Sequence, residues 1–170
     1  MRSGLSLLRQ FTRAMSGESV SALEKAGIKK DPKEISREEW QKILSPEQYY
    51  ITREQGTERP FSGEFNKHKK SGIYLCSCCG SELFDSNAKF DSGCGWPAFS
   101  KAFFEGLDEA KSNVARRPDH SHGIERTEVI CKQCNAHLGH VFDDGPKPTG
   151  ERFCINSICM IFKPTTQDSA

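Results

Sequence analysis

Near the C-terminus, Arg152, Cys154 and Asn156 alternate with Phe153 and Ile155. That pattern reads as a short strand on which the three polar side chains share one face. A cation beside a thiol favours the thiolate, the nucleophilic form of cysteine, and an amide N–H can hold negative charge developing next to it. The competing account is a buried structural cysteine, because free cysteine is among the most buried residue types. Seven further cysteines, at 76, 78, 79, 94, 131, 134 and 159, bear on the choice.

An even count of eight invites four disulfides, but the spacing argues for metal first. Cys76-Ser77-Cys78-Cys79 and Cys131-Lys132-Gln133-Cys134 are two C-x-x-C knuckles, the arrangement that sets pairs of thiolates on a tetrahedral ion. Cys76, Cys79, Cys131 and Cys134 would make a closed, structural Zn²⁺ site, one ion per chain, tying two distant parts of the domain together. Cys78 forms a tighter pair with Cys76 and could compete for the metal. Of the remaining thiols, Cys94 lies in the Gly- and Pro-rich turn Gly93-Cys94-Gly95-Trp96-Pro97, exposed enough for thiol exchange. One thiol in a charged strand and another in a flexible loop suggest a nucleophile and a resolving partner.

The elements that must position these groups are short. Ser36 forms a capping box with Glu39, flanked by Ile35 and Trp40 as a hydrophobic staple, and Ser45-Pro46 restarts a helix carrying Tyr49, Tyr50 and Ile51. Two short N-terminal helices therefore precede the core. Strands are expected at 72–76, 82–84, 127–131, 140–142, 152–156 and 159–163, punctuated by Gly, Pro, Asn and Asp. The fold class is mainly β, a small antiparallel core of two packed or rolled sheets, stapled by zinc. Residues 105–124 read as a long, polar, structureless connection whose His120 and His122 are solvated, and Cys159 reads as core.

Formal charge is +1, from 24 basic and 23 acidic residues, which gives no global case for nucleic acid or an anionic membrane surface. No run reaches the roughly 18 to 20 apolar residues of a transmembrane helix. Residues 1–19 carry Arg2, Arg9 and Arg13 among Leu5, Leu7, Leu8, Phe11 and Met15, and their first acid is Glu18. An acid-poor, basic, amphipathic start of this kind is similar to a mitochondrial transit peptide; a plain tail on a cytoplasmic protein is the alternative. The expected division is a targeting segment and linker at 1–34, with one weak helical turn at most near 20–26, a domain at 35–164, and a disordered tail at 165–170.

Taken together, Ser92-Gly93-Cys94-Gly95-Trp96-Pro97, Cys131-x-x-Cys134, His137-Leu138-Gly139-His140, Asp144-Gly145-Pro146 and Arg152-Phe153-Cys154-Ile155-Asn156-Ser157 closely resemble the B-type methionine-R-sulfoxide reductases across about residues 40–163. Gly56-Thr57-Glu58 and Pro60-Phe61-Ser62-Gly63 are similar to that family's N-terminal signature.

The resemblance implies roles residue by residue. Cys154 would attack the sulfoxide sulfur, release methionine and become a sulfenic acid; Cys94 would condense with it to a disulfide, which thioredoxin or a similar dithiol reduces. His140, with His137 beside it, would supply the proton that the departing oxygen needs. Arg152 and Asn156 would favour the thiolate and stabilise the polarised transition state, and Asp144 would orient a histidine or bind the substrate backbone. Trp96 would cover the methyl group on the substrate sulfur, and Phe153 would line the same pocket. Oxidised proteins and free methionine-R-sulfoxide would be the substrates, and the protein is expected to be a monomer. Read without the family, both histidines would be taken as zinc or core residues and Trp96 as a packing residue. A zinc-stapled binding module would need a basic or aromatic surface, and a cysteine hydrolase would need an oxyanion hole and an acyl substrate; the sequence displays neither.

Overall fold

The computed structural model describes residues 19–165. Three short α-helices lead into the β core: α1 (Ala22–Lys25), α2 (Arg37–Ile43) and α3 (Pro46–Arg53). The capping box at Ser36 and Glu39 forms as expected, and Ser45 with Gln48 makes a second one with Pro46 in the first turn. Each box satisfies free N–H groups at the start of its own helix, and Leu44 N–H closes α2 on the Trp40 carbonyl just before the second box begins. Their apolar faces, Trp40, Leu44, Tyr49 and Ile51, are all buried, while Tyr50 faces outward.

Nine strands make two antiparallel sheets among the described residues. β1 (Gly72–Cys76), β2 (Glu82–Asp85) and β9 (Met160–Pro164) form a three-stranded sheet ordered β2-β1-β9. The larger sheet contains β3 (Lys89–Phe90), β4 (Ala98–Phe99), β5 (Val114–Asp119), β6 (Arg126–Cys131), β7 (His137–Phe142) and β8 (Arg152–Ile155), in the order β3-β4-β8-β7-β6-β5. Aromatic rings join the sheets: Phe84 stacks on Phe99 at 4.4 Å, Tyr74 meets Phe99 edge-on at 5.1 Å, and Phe84 meets Phe153 at 5.6 Å. All four are fully buried, each worth roughly 1.5 to 3 kcal/mol of apolar burial.

The chain changes sheets between β8 and β9 through a 3-10 turn at Ser157–Cys159. The buried carboxylate of Glu58 accepts the backbone N–H groups of Ser157 (2.6 Å) and Ile158 (3.1 Å), and the Ser157 hydroxyl accepts from Phe65 N–H (2.9 Å). Those bonds hold the corner that ends the Cys154 strand. Cys159 is buried there, its thiol donating to the His137 carbonyl.

The two-residue strands β3 and β4 were not among the expected ones, and two longer segments also differ from the sequence reading. Residues 114–119, expected to be structureless, form an edge strand paired with β6 over six residues. Arg116, Arg117 and Pro118 are exposed, so β5 owes its conformation to ladder bonds with its buried neighbour and not to an apolar face of its own. At the N-terminal end, α1 is docked on the first knuckle: Ala22 and Leu23 are buried and their N–H groups donate to the Ser77 and Cys78 carbonyls. The expected targeting segment lies, but for its last residue, outside the described residues, as does most of the expected tail; Pro164 is the last residue of β9, and Thr165 N–H bonds to the Ser71 carbonyl. Among the described residues no helix is long and apolar enough to cross a membrane.

Candidate active site and metal centre

β8 sits in the middle of the large sheet, and its alternation sorts its side chains: Phe153 and Ile155 are buried against the small sheet, while Arg152 and Cys154 emerge on the other face. Cys154 lies opposite Ala98 on one side and His140 on the other. The same row continues through His140 to Glu128 and on to Arg117. Directly opposed residues of antiparallel strands point to one face, so thiol, imidazole, carboxylate and guanidinium line up across four strands. Gly139 is required beside them, because a Cβ there would overlap the Cys154 carbonyl oxygen.

His137 and His140 are three residues apart and would fall on opposite faces of a regular strand. A register shift between Val129 and Ile130 of β6 breaks the alternation, and the two rings lie 5.5 Å apart, edge to face. They are not equivalent. His140 Nε2 donates to Asp119 Oδ2 at 2.6 Å, and its ring borders a cavity of about 110 Å³ shared with Thr57, Trp96, Arg126, Gly139, Phe142, Cys154 and Asn156. His137 is buried behind that cavity, its Nδ1 bonded to Glu128 Oε1 at 2.7 Å and its Nε2 without a protein partner. Burial, with the Arg126 and His137 charges, holds His140 below the usual histidine value, and Asp119 opposes this. The carboxylate of Asp119 is itself held well below its ordinary range, chiefly by His140 and Ser121.

Trp96 forms one wall, its indole N–H fixed to the Glu58 carbonyl at 3.1 Å. Asn156 lies at the edge of the cavity with its amide carbonyl accepting Glu58 N–H (3.0 Å) and Nδ2 donating to the Leu138 carbonyl (2.9 Å), which leaves one amide hydrogen. Cys94 approaches from the turn after β3, and its sulfur is 3.3 Å from Cys154 Sγ. Burial, reinforced by the Cys94 contact, pushes the Cys154 thiol up to about 12, against the pull of Arg152. Cys94 is lowered: burial opposes ionisation there, but the Ser92 hydroxyl, the Trp96 backbone, Cys154 and Arg152 outweigh it.

Two expected roles need correction. Phe153 does not line the cavity; it is fully buried on the opposite face, packed on Phe84. Of the two roles expected of Asp144, orienting a histidine does not hold: it pairs with Arg152 through both oxygens, at 2.8 and 3.0 Å, and that guanidinium lies over Phe142 at 4.5 Å, while contact with a substrate backbone stays an expectation. The acidic partners of the histidines, Asp119 and Glu128, were absent from the sequence reading, as was Arg126; Thr57 was read only as part of the N-terminal signature and lines the cavity. Glu128 carried a legible signal, a carboxylate inside the otherwise apolar strand 127–131; Asp119, at the end of an unrecognised strand, carried none.

Glu128 is almost wholly buried and bonds to Arg117, His137 and Gln55. Burial disfavours its charge, but His137 and Arg117 outweigh that and bring its pKa down to about 2. A folded value below the unfolded value of about 4.3 contributes stability above pH ~4.3 that is lost as pH falls through about 2. Glu128→Gln is therefore expected to cost about 3 kcal/mol in urea unfolding at pH 7 and markedly less at pH 3. An equal cost at both pH values would contradict the ion-paired assignment.

Away from the cavity, Cys76, Cys79, Cys131 and Cys134 bring their sulfurs within 4.8 Å of one another, with pairs at 3.7 and 3.6 Å. A tetrahedral ion with metal–sulfur bonds of about 2.3 Å needs sulfur separations of about 3.8 Å, so the donor set fits. Each knuckle closes the same way, Gly80 N–H to Cys76 O and Asn135 N–H to Cys131 O, both 2.8 Å, with Gly80 and Asn135 at positive φ. One knuckle follows β1 and the other follows β6, so the cluster joins the two sheets. Cys78 is buried outside the group. Arg53 approaches from α3, stacked 4.1 Å over Trp40 and donating to the Cys134 carbonyl at 2.7 Å, with Nε and Nη2 buried and unpartnered.

The SelR domain matches residues 44–164 of this chain. Mitochondrial methionine-R-sulfoxide reductase B2 of Rattus norvegicus is 58% identical over 132 residues, 77% of this chain and 76% of the relative. A probable methionine-R-sulfoxide reductase B of Caenorhabditis elegans is 56% identical over 142 residues, covering 83% and 90%. Peptide methionine sulfoxide reductase MsrB of Pseudomonas entomophila is 58% identical over 127 residues, covering 75% and 92%.

Proposed function

This chain belongs to the SelR-domain family of B-type methionine-R-sulfoxide reductases, and from that premise we propose that it works through Cys154 as nucleophile and Cys94 as resolving thiol, in the repair of oxidised proteins. The observation that carries the reading is Cys154 Sγ opening into a small cavity walled by Trp96 and His140, with Cys94 Sγ 3.3 Å away. The Cys154 thiolate attacks the sulfoxide sulfur; the oxygen and one proton pass to Cys154 as sulfenic acid, and methionine leaves. Cys94 then displaces that oxygen as water and forms the Cys94–Cys154 disulfide. Thioredoxin, or a similar dithiol, supplies the two electrons that reopen it. Trp96 covers the substrate methyl group, the remaining Asn156 amide hydrogen faces developing charge, and Arg152, steadied by Asp144, favours the thiolate.

His140 is the acid, and His137 positions it. With Nε2 committed to Asp119, Nδ1 is the nitrogen left to exchange a proton with the sulfoxide oxygen. A histidine below its usual value is a strong acid that is sparsely protonated at neutral pH, and Asp119 is what raises that population. Asp119→Asn is expected to slow single-turnover reduction at pH 7 about tenfold to a hundredfold and to move the histidine limb of the pH profile toward lower pH. An unchanged limb would show that the proton comes from elsewhere.

The four-cysteine cluster holds one structural zinc, because an all-thiolate, closed, buried site is the coordination that ion prefers. Mitochondrial residence is supported by the basic, acid-poor residues 1–19 and by the mitochondrial names of some relatives, and a cytosolic signal from a fluorescent fusion of residues 1–30 would refute it. The deciding assay for the activity supplies each epimer of dabsyl-methionine sulfoxide separately with dithiothreitol. Turnover of the R epimer is expected; turnover of the S epimer alone, or of neither, would overturn the assignment.

A further inference from the structure

The loop that carries Cys94 is flanked by two features that the chemistry at Cys154 does not use. At its start, Asn66, Lys67, His68, Lys69, Lys70, Ser86, Lys89, Phe90 and Asp91 enclose a concavity of about 570 Å³ with four lysines and a single carboxylate. Lys67, Lys69 and Lys70 are exposed, and none of the four lysines forms an ion pair among the described residues. Lys89 is half-buried with only the Asn66 carbonyl as acceptor, at 3.0 Å. Burial lowers both Lys89 and His68, with Asp91 opposing and Lys69 adding in the first case and Lys89 and Lys70 adding against Glu64 in the second, and the excess of cations around the concavity suits an anionic partner.

At the other end of the loop stands Phe61, 66% exposed. It is held at φ 63°, a conformation bulky residues rarely adopt, by its N–H bond to the Gly95 carbonyl at 2.7 Å. Phe90, at the margin of the basic concavity, lies two strands from Cys154 through Ala98, about 10 Å across the sheet. An exposed aromatic and a ring of unpaired cations therefore bracket one loop, the one whose thiol must be reached from outside once the disulfide has formed.

We propose that Lys67, Lys69, Lys70, Lys89 and Phe61 form the docking surface for the dithiol protein that reduces the Cys94–Cys154 disulfide, the lysines meeting carboxylates on its rim and Phe61 anchoring its apolar centre. This rests on the recycling reading above. A docked reductant thiolate attacks Cys94 Sγ, and Cys154 leaves as thiolate; the reductant's second thiol then displaces Cys94, so the reductant is oxidised to its disulfide and both enzyme thiols are restored. An aromatic anchor beside a charged rim is the usual anatomy of a transient interface, with the charges acting mainly on encounter rate.

The test compares thioredoxin with dithiothreitol, a small neutral dithiol that needs no docking surface. The triple variant K67E/K69E/K70E is expected to raise the KM for thioredoxin about tenfold or more, and Phe61→Ala severalfold, while turnover supported by dithiothreitol stays unchanged. Raising the salt concentration should weaken thioredoxin use by the wild type and leave the triple variant insensitive, and K67R/K69R/K70R should behave as wild type. The dithiothreitol arm reports separately on the sulfoxide chemistry. An unchanged thioredoxin KM in the charge-reversed protein would overturn the proposal, as would an equal loss with both reductants.

Discussion

Cys154→Ser is expected to abolish methionine sulfoxide reduction, lowering the single-turnover rate on the order of 10⁴-fold or more, while Cys94→Ser keeps that first turnover and loses thioredoxin-supported cycling. The two thiols are separated by role because they are separated by place. Cys154 is fixed in a strand hydrogen-bonded on both sides, with Trp96, His140 and Asn156 around one cavity. Cys94 lies outside any strand, and its sulfur reaches Cys154 without lining that cavity. From 3.3 Å, a disulfide of about 2.05 Å asks for an approach of only about 1.3 Å. The demand on the loop is thus for withdrawal, since the contact that suits disulfide formation also occupies the nucleophile. Burial and the Cys94 contact hold Cys154 up at about 12, and retreat of Cys94 removes the second of these influences. Cys94→Ser should accordingly move the thiolate titration of Cys154 to lower pH, read by ultraviolet absorbance, and leave a sulfenic acid that dimedone traps at one equivalent per chain. Full thioredoxin-supported turnover in Cys94→Ser would instead pass the resolving role to Cys78 or Cys159, both of them buried, or show that none is needed.

The strand that carries Cys154 was legible because local pattern and tertiary placement agree: Phe153 and Ile155 alternate into the core and the polar positions fall outward. The Ser36–Glu39 capping box and the Ser45-Pro46 helix start were legible for the same reason, each being complete within four residues. What escaped was set by partners distant in sequence. β5 is an edge strand of charged residues whose conformation comes from β6, and with it went Asp119, the carboxylate on His140. The shared face of His137 and His140 depends on a register shift that no single-strand periodicity encodes. Phe153 was misplaced by reading proximity in sequence to Cys154 as proximity to the cavity, when a period of two sends adjacent side chains to opposite faces. Even the Asn156 amide, correctly placed at the cavity, proves to be mostly engaged with backbone, so its position is held by Glu58 and Leu138, residues 98 and 18 positions away.

Removal of the proposed zinc is expected to have the second large effect, and to act on the fold ahead of the chemistry. None of the four cysteines lines the cavity at Cys154, yet their knuckles end β1 and β6, one from each sheet. Metal binding to a tetrathiolate is worth about 10 to 16 kcal/mol in small modules, comparable to the whole stability of a domain. Losing even about 5 kcal/mol of it would lower the melting temperature by about 10 to 20 °C. Arg53 deepens the dependence: its guanidinium, with two buried nitrogens unpartnered, lies against a cluster that would carry two net negative charges around the ion. Once the thiols are protonated, that buried cation has lost its counter-charge, and α3, which rests on Trp40 through the same side chain, is loosened with it. The strand released at the other knuckle is β6, whose Glu128 holds His137, so damage at the metal reaches the histidines through the sheet. Cys131→Ser, or chelation under denaturant, should therefore show loss of activity and loss of cooperative structure superimposed when followed by turnover and by circular dichroism. Activity disappearing in step with zinc while the fold persists would place the metal in the chemistry instead, and a metal-free protein with an unchanged melting temperature would dismiss the clamp.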